Sequence, residues 1–173
     1  MTQAGAAPEF SFEIDLTGLS ASEKQFRLKA EQSVCEQLAK RLGVIAVHSC
    51  EGEINLSATK SVINVSGTVR GGVTRECVAS LEDMEEVVSD SFELEFFRNA
   101  NALDDDKSLD ETDLAEIHEG DVFDIGELLV QQFSLAMDPF PRKDNAPSLA
   151  EEYGEDIEAS PFAGLQDILK KSN

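Results

Sequence analysis

Between Val44 and Phe97 the apolar residues recur mostly at every second position, and this period of two restricts the fold more than any other feature of the sequence. Such alternation is typical of half-buried β-strands. Turn residues separate the runs at hairpin spacing, namely Glu51-Gly52, Lys60-Ser61 and Gly71-Gly72. The pattern predicts an antiparallel meander, in which the runs around the double glycine form either two strands or one long, bent strand.

The segment before these strands combines two periods. Apolar and polar residues alternate over residues 10–16, which predicts a short strand. From Ser20 to about Leu42, apolar residues four positions apart then share one face, and Glu23 follows Ser20 at the capping-box spacing. We therefore predict a long amphipathic helix that ends at Gly43.

A second helix is predicted in the last third of the chain. Asp124 and Glu127 repeat the capping-box spacing, and an apolar stripe extends from there to about Met137. Asp138-Pro139 ends this helix, because the residue before a proline is pushed out of the α region.

These elements predict an α+β fold: an antiparallel sheet of about five or six strands, open or partly closed, packed with a long N-terminal helix and a second helix after an acidic loop. We expect residues 1–142 to form one domain that contains a mobile acidic loop at about 99–121, where nine acidic residues accompany few large apolar ones. An acidic flexible linker over 143–159 follows. The chain ends in a short amphipathic segment over 160–173, which Ser160 caps.

The net charge of −21 is unevenly distributed along the chain. Residues 1–81 carry nine acidic and eight basic residues, residues 82–121 carry 16 and two, and residues 122–173 carry ten and four. A surface that binds nucleic acid normally carries a basic patch, so phosphate contact is disfavoured for the back half and left open for the nearly neutral front. The acidic half instead suits a basic partner, and we expect no DNA partner.

Cysteine spacing and hydropathy indicate the compartment. Cys35, Cys50 and Cys77 have no paired spacing, which fits a reduced compartment better than a disulfide scaffold. Residues 1–20 lack a basic start and an apolar core, so we expect no signal peptide. Every apolar run is shorter than the ~18 residues needed to span a bilayer. We therefore expect a cytoplasmic protein with no membrane partner.

The sequence contains no recognised catalytic motif: it has no GxSxG, no HExxH and no phosphate-binding glycine loop. His48, Cys50 and Cys77 offer zinc ligands, but their spacing is not a recognised zinc pattern, and free cysteines are commonly buried as small apolar groups. His118 lies in the acidic loop and is expected to have no role. We expect no catalytic residue, no metal and no other cofactor.

The charged clusters leave further alternatives open. Asp104–Asp106 and Asp110-Glu111 resemble a divalent-cation site but lack the glycine and final glutamate of a calcium loop. A solvated loop is favoured there, with an arm that meets a basic partner as the alternative. In the front half, bases concentrate between Lys24 and Arg41 but are interspersed with acids. A solvated helix face is the simpler interpretation, and RNA contact is the alternative.

Three stretches, in this order, carry a family resemblance. They are 74–82 (TRECVASLE), 124–142 (beginning DIGEL and ending AMDPFPR) and 160–165 (SPFAGL). The chain resembles the bacterial YceD-type family, named for large ribosomal RNA subunit accumulation, which also has plastid members. The candidate partner-binding residues are those of these motifs: Arg75, Cys77, Leu81, Glu82, Asp124, Glu127, Pro139, Pro141, Arg142, Pro161, Phe162 and Leu165.

The resemblance implies a role in accumulation or processing of large-subunit ribosomal RNA rather than an established enzymatic activity. Family genes often neighbour the gene of a small basic ribosomal protein. Some members carry CxxC in the first stretch and place His and Cys after the proline-rich turn, where this chain has Ser80 and Arg142-Lys143. If those four residues bind zinc in such members, this chain lacks the site.

The leading hypothesis is a noncatalytic factor in large ribosomal subunit biogenesis, which supports accumulation or processing of 23S rRNA by binding a basic ribosomal protein or a preribosomal particle. One alternative is a protein that binds rRNA directly through the front half. The other is a metal-dependent rRNA-processing enzyme with Asp104–Asp106 as metal ligands. The proline turn at 139–142 and the segment at 161–165 are each expected to pack on their own domain rather than to form bare partner contacts.

Overall fold

The computed structural model describes residues 8–19, 21–98 and 116–146. Within these ranges the elements are β1 (Glu13–Asp15), a 3₁₀ turn (Leu16–Gly18), β2 (Lys24–Lys29), α1 (Gln32–Leu42), β3 (Ala46–Ala58), β4 (Val62–Glu76), β5 (Asp83–Phe97), β6 (Glu116–Ile117), β7 (Val122–Asp124) and α2 (Ile125–Ala136). The predicted α+β class is confirmed. The predictions for Ser20, for most of the acidic loop and for residues 147–173 lie outside the described residues.

Five strands form one sheet in the order β2-β3-β4-β5-β6, and β1 and β7 pair separately as a two-stranded antiparallel ribbon. β2 is antiparallel to β3 and β3 to β4, whereas β5 and β6 are parallel. The first and last strands in this order do not pair, so the sheet is open rather than closed. The predicted sheet of about five strands is confirmed, and it is mostly antiparallel.

The prediction of a long N-terminal helix is wrong. Lys24–Lys29 form β2, and α1 has only 11 residues. Phe26 and Leu28 are two residues apart and both pack in or against the core, so the segment fits period two as well as period four. Pairing with β3 decides in favour of a strand. Gly43 ends α1 as predicted, with a left-handed φ of +67° and an N–H that donates to Ala39 O.

β4 is one continuous strand of 15 residues that runs through Gly71-Gly72. Of the two sequence interpretations of the double glycine, the single strand is therefore confirmed. The irregularity lies instead in its partner β3, where the register shifts between Val47 and Ser49. His48 is the extra residue of this β-bulge.

Two other predicted segments differ from the structure in extent. The strand expected over 10–16 is reduced to β1, because Leu16 begins the 3₁₀ turn with Asp15 as its cap. Thr17 N–H donates to Asp15 Oδ1 at 2.8 Å. Within the segment expected to be a mobile loop, Glu116–Ile117 pair with β5 as β6, so regular structure resumes before residue 121.

The hydrophobic core lies between the sheet and the two helices. Along β3 and β4 the fully buried residues, such as Ile54 and Val65, occupy alternate positions, and the residues between them are mostly polar. Leu38 of α1 and Phe133 of α2 belong to the same buried cluster. One face of the sheet therefore carries the core, and neither of the two helices in the described ranges lies on the other face, which we call the helix-free face.

Two glycines allow α2 to lie close to β3 and β4. A Cβ added to Gly52 would lie 2.5 Å from Leu129 Cδ1, and one added to Gly71 would lie 2.6 Å from Phe133 Cε2. Leu129 and Phe133 are about one helical turn apart, so the two contacts orient the helix across both strands.

The chain divides into two compact units. The first contains residues 1–75 and 85–139, and the described part of the second contains 76–84 and 140–146. The core described above belongs to the first unit. Neither of the two helices in the described ranges is long and apolar enough to cross a membrane.

Candidate functional site

Arg75, in the first of the family-like stretches, belongs to a closed ring of hydrogen bonds in the first unit. Its Nη1 lies 2.9 Å from Glu86 Oε2, and its Nη2 donates to Asp138 O at 2.7 Å. The N–H of Asp138 donates in turn to Glu86 Oε1 at 2.7 Å. The Arg75 and Glu86 side chains are only 15% and 14% exposed, which shields their ion pair from water. The ring fixes the chain where α2 ends, so Arg75 has a structural role.

Asp124 joins the start of α2 to the N-terminal segment. As predicted, it caps the helix by accepting hydrogen bonds from the N–H groups of Gly126 and Glu127. It also accepts from Ser11 Oγ at 2.6 Å and from Phe12 N at 2.8 Å. Burial raises the pKa of the Asp124 carboxyl, but these hydrogen bonds outweigh burial and hold that pKa below its usual value of 3.8.

Glu127 does not complete the predicted capping box. Its carboxylate instead binds Arg41 at the end of α1, whose Nη1 lies 2.7 Å from Glu127 Oε2 and 3.1 Å from Glu9 Oε2. The hydrogen bond from Arg41 holds the pKa of the Glu127 carboxyl below its usual value. Arg41 therefore links α1 to α2, and it is not the solvated base that the sequence indicated.

The described part of the second unit is a pair of turns joined by backbone hydrogen bonds. Val78 N–H donates to Pro141 O at 2.9 Å, so parts of the first two family-like stretches meet here. Cys77 N–H donates to Glu82 O, and Leu81 N–H donates to Cys77 O, each at 2.9 Å. Leu81 is 69% exposed and has a left-handed φ of +57°.

The Cys77 thiol is fully buried within this unit but lies outside the hydrophobic core. The Ser80 hydroxyl is the main cause that lowers the pKa of this thiol from 9.0 to about 6, with help from the backbone N–H groups of Lys143, Ser80 and Ala79. Lys143 N lies 3.4 Å from the sulfur. Ser80 Oγ is buried, and no other group of the described residues competes for its hydrogen bond. The arrangement stabilises a thiolate.

Lys143 also places its charge beside this turn. Its Nζ lies 2.7 Å from Glu82 Oε2, and this pair holds the pKa of the Glu82 carboxyl below its usual value. Glu82, a candidate partner-binding residue, is thus already engaged within its own unit.

The other groups considered as zinc ligands occupy unsuitable places. Cys50 is fully buried in the core, where burial raises the pKa of its thiol to about 12. His48 is exposed on the bulge, with its Nε2 2.7 Å from Thr74 Oγ1 and 3.1 Å from Glu85 Oε2. In the part of the chain that the structure describes, no three His, Cys, Asp or Glu residues are grouped to hold a metal. Asp104–Asp106 lie outside that part.

The remaining candidate residues lie in the turn after α2 or near the C-terminus. Pro139 and Arg142 are exposed, and Pro141 is buried. Those near the C-terminus lie outside the described residues: Pro161, Phe162 and Leu165.

Charge is divided between two strands of the sheet. β2 carries three bases and no acid, whereas β5 carries six acids and no base. Two bases of β2 are already paired, since Arg27 lies 2.7 Å from Glu53 and Lys29 lies 3.1 Å from Glu51. The acids of β5 are paired with bases to a smaller extent, so the sheet is acidic near the edge that contains β5.

The acidity of residues 82–121 is visible in the sequence, but its placement on the sheet is not. Nine of the 16 acids belong to the loop at 99–121, and six lie on β5. The alternation of acids with apolar residues between Glu93 and Phe96 is the pattern of a strand with an acidic face, and it is the local signal for this placement.

The helix-free face of the sheet is polar. An open depression of about 520 Å³ there is bordered by charged residues of β2 and β3 together with Thr68 and Arg70 of β4. Arg70 is exposed and has no carboxylate partner among the described residues. This surface suits a polar macromolecule better than an apolar small ligand.

Taken together, the described residues form a small α+β protein that presents a charged, open sheet. The chain belongs to the family described as large ribosomal RNA subunit accumulation protein YceD, whose model matches residues 65–169. This range includes the Arg75 ring, β5 and α2. No curated protein and no solved structure matches the chain. The family name indicates a role in the accumulation of large-subunit ribosomal RNA.

Proposed function

We propose that this protein is a noncatalytic factor of large ribosomal subunit biogenesis, which supports the accumulation or processing of 23S rRNA by binding a basic ribosomal protein or a preribosomal particle. Membership of the family gives the process. The observation that supports the kind of partner is β5, a 15-residue strand with six acids and no base. Such a surface attracts lysine- and arginine-rich proteins and repels the phosphates of free RNA.

The candidate motif residues support this proposal indirectly. Arg75, Asp124 and Glu127 each hold two or more segments of the first unit together. Their contacts are with their own chain, so they build the scaffold that displays the acidic strand.

Sedimentation tests the proposal directly. Extracts of cells that express the tagged chain are separated on sucrose gradients, and the chain is then recovered at about 0.05 M and about 0.5 M salt. We expect it in fractions that hold large-subunit precursors, with a basic ribosomal protein recovered at low salt and lost at high salt, because salt screens charge attraction. Its absence from these fractions, with no basic ribosomal protein recovered, would contradict the proposal. In cells that lack the chain, the amount of mature 23S rRNA should be lower.

Direct binding of rRNA through the front half is a second candidate function, supported by one observation. Arg70 borders the polar depression without a carboxylate partner among the described residues, and Lys24 lies on the nearby strand β2. Replacing both by glutamate should abolish RNA affinity, whereas Lys60→Glu, in the turn between β3 and β4, should not. RNA affinity that is unmeasurable in the unmodified chain would rule this candidate out.

A further inference from the structure

Among the residues that the structure describes, little covers the outer side of β5. In the sheet, β5 lies between β4 and β6, but β6 pairs only with Phe96 and Phe97. Among the described residues, therefore, no strand covers the outer side of residues 85–95, which we call the edge segment. At about 3.3 Å per residue its 11 residues extend for about 36 Å, which is longer than an average strand.

An unpaired strand edge exposes alternate backbone N–H and C=O groups, which form a template for a further strand. Val87, within the edge segment, is also 87% exposed, so an apolar side chain is available beside this template. A long strand edge of this kind, with an exposed valine beside it, promotes aggregation unless some feature restricts which segments can pair with it.

The charges of the edge segment provide that restriction. It contains five acids and no base. Glu85 and Glu86 already bind groups on β3 and β4, but Asp90 and Glu93 have no cationic partner among the described residues. Asp90 is exposed, and it lies three positions before Glu93, so the two side chains point to opposite faces of the sheet. Uncompensated carboxylates therefore lie on both faces.

These charges select among possible occupants. Nucleic acid phosphates are repelled by the carboxylates. A second copy of β5 would bring five more acids to the same place. A second copy of β2 is also a poor match, because Arg27 and Lys29 are paired within their own chain. A basic protein segment in an extended conformation satisfies both the backbone and the carboxylates.

From this combination we infer that the edge segment binds a lysine- or arginine-rich extended segment of a protein partner, which adds to the sheet as a strand beside β5. Backbone hydrogen bonds hold the added strand, and its bases face Asp90 and Glu93 at the ~5 Å Cβ separation of cross-strand neighbours. This docking mode deepens the proposed function and rests on it for the biological identity of the partner.

The test uses the purified full-length chain and a fluorescent 11-residue peptide in which pairs of lysines alternate with valine-threonine pairs, so that lysines face both sides of the added strand. A second peptide carries the same lysines with prolines in place of the valines and threonines, so it keeps the charge but cannot complete a strand ladder. We expect the first peptide to bind at about 0.05 M salt at least tenfold more tightly than the proline peptide. Amide hydrogen exchange within residues 85–95 should slow when the first peptide is bound.

A pair of matched variants tests the role of the carboxylates. Asp90→Asn with Glu93→Gln should weaken binding of the first peptide about three- to tenfold, as expected for two exposed ion pairs. Glu31→Gln with Glu36→Gln removes the same charge at and near the start of α1 and should change affinity less than about twofold. Circular dichroism confirms that both variants are folded.

Four outcomes would overturn the inference. They are no binding of the first peptide, equal binding of the two peptides, equal effects of the two double variants, and a second copy of the chain occupying this edge in analytical ultracentrifugation. The assay contains no ribosomal component. If the peptide binds but the chain does not associate with ribosomal particles in cells, the result counts against the proposed function alone. If the chain associates with ribosomal particles but the peptide does not bind, the result counts against binding at the edge segment alone.

Discussion

The ring of Phe133 on α2 lies directly against Gly71 of β4. A Cβ built on Gly71 would lie 2.6 Å from Phe133 Cε2 and would also overlap Ser49 O on the neighbouring strand. No real Cβ tolerates such distances, so this position accepts only hydrogen unless the helix moves. The neighbouring Gly72 is different, because the nearest atom to its added Cβ is Glu86 O at 3.8 Å.

Gly71→Ala should therefore destabilise the protein far more than Gly72→Ala. Overpacking of a core typically costs about 1–3 kcal/mol, and here a backbone oxygen as well as the ring must shift. We expect a loss of at least about 2 kcal/mol in the free energy of unfolding for Gly71→Ala and less than about 0.5 kcal/mol for Gly72→Ala. Urea denaturation of the two variants measures both. Equal losses would show that α2 does not pack on Gly71.

Glu86→Gln tests the ring that Arg75 forms with Glu86 and Asp138. The amide keeps an acceptor for Asp138 N–H but leaves Arg75 without a carboxylate, at side chains only about 15% exposed. Hydrogen bonds to charged groups contribute about 1.5–3 kcal/mol, so we expect unfolding free energy to fall by about 2 kcal/mol.

The same substitution at an exposed pair is the control. In the Arg27–Glu53 pair the side chains are 76% and 47% exposed, so Glu53→Gln should cost less than about 0.5 kcal/mol. A Glu86→Gln variant as stable as Glu53→Gln would mean that the ring does not stabilise the fold.

The sequence predicted what local periodicity determines. β4 and β5, α2 and the Gly43 helix end were recoverable from spacing, but β3 was predicted as two strands, because Glu51-Gly52 was interpreted as a turn and lies within it. Residues 24–29 were not predicted as a strand, because Phe26 and Ala30, four positions apart, also fit a helix face, although Leu28 between them fits only the strand. The tertiary pairing of β2 with β3 settled that ambiguity, and no local pattern contains it.

The sequence also did not predict the contacts between residues that are far apart in the chain. Arg75 and Asp138 are 63 positions apart, and nothing in either stretch indicates that one binds the other. Phe133 and Gly71 are 62 positions apart. The double glycine therefore suggested a break or a bend in the strand, whereas Gly71 in fact leaves room for the Phe133 ring. Among the candidate motif residues, the helix cap of Asp124 could be predicted from the sequence, but the contacts of Arg75 and Glu127 could not.

Asp124→Ala should destabilise the start of α2 and detach the N-terminal segment. It removes the acceptor for Gly126, Glu127, Ser11 and Phe12, so the loss should exceed the ~1 kcal/mol of an ordinary N-cap. Asp124→Asn keeps an acceptor oxygen and should lose less. Urea denaturation of the three proteins measures these losses.

The pH dependence of the Asp124→Ala loss has a definite sign. The pKa of this carboxyl is lower in the folded chain than its usual 3.8, so its contribution is present above pH 3.8 and is lost as pH falls through the folded value. The difference in stability between the unmodified chain and Asp124→Ala should therefore shrink below about pH 4. A difference that is constant down to pH 2 would contradict the assigned hydrogen bonds.

The Cys77 thiol should ionise at unusually low pH. Its pKa is about 6 because the Ser80 hydroxyl and three backbone N–H groups stabilise the sulfur anion, whereas Cys50 has a pKa raised to about 12 by burial. Both thiols are buried, so the test follows the ¹³Cβ chemical shift of each cysteine by NMR as the pH is changed; it should give a midpoint near pH 6 at Cys77 and no titration of Cys50 below pH 9. Ser80→Ala should move the Cys77 midpoint upward, and Ala79→Gly, which keeps the backbone N–H, should not.

The pH dependence of stability should have the matching sign. The contribution of Cys77 to the free energy of unfolding is full above pH 9 and is lost as pH falls through 6, so the destabilisation by Cys77→Ser should be larger at pH 9 than at pH 5. A Cys77 midpoint near 9 in the folded chain would contradict the assigned environment.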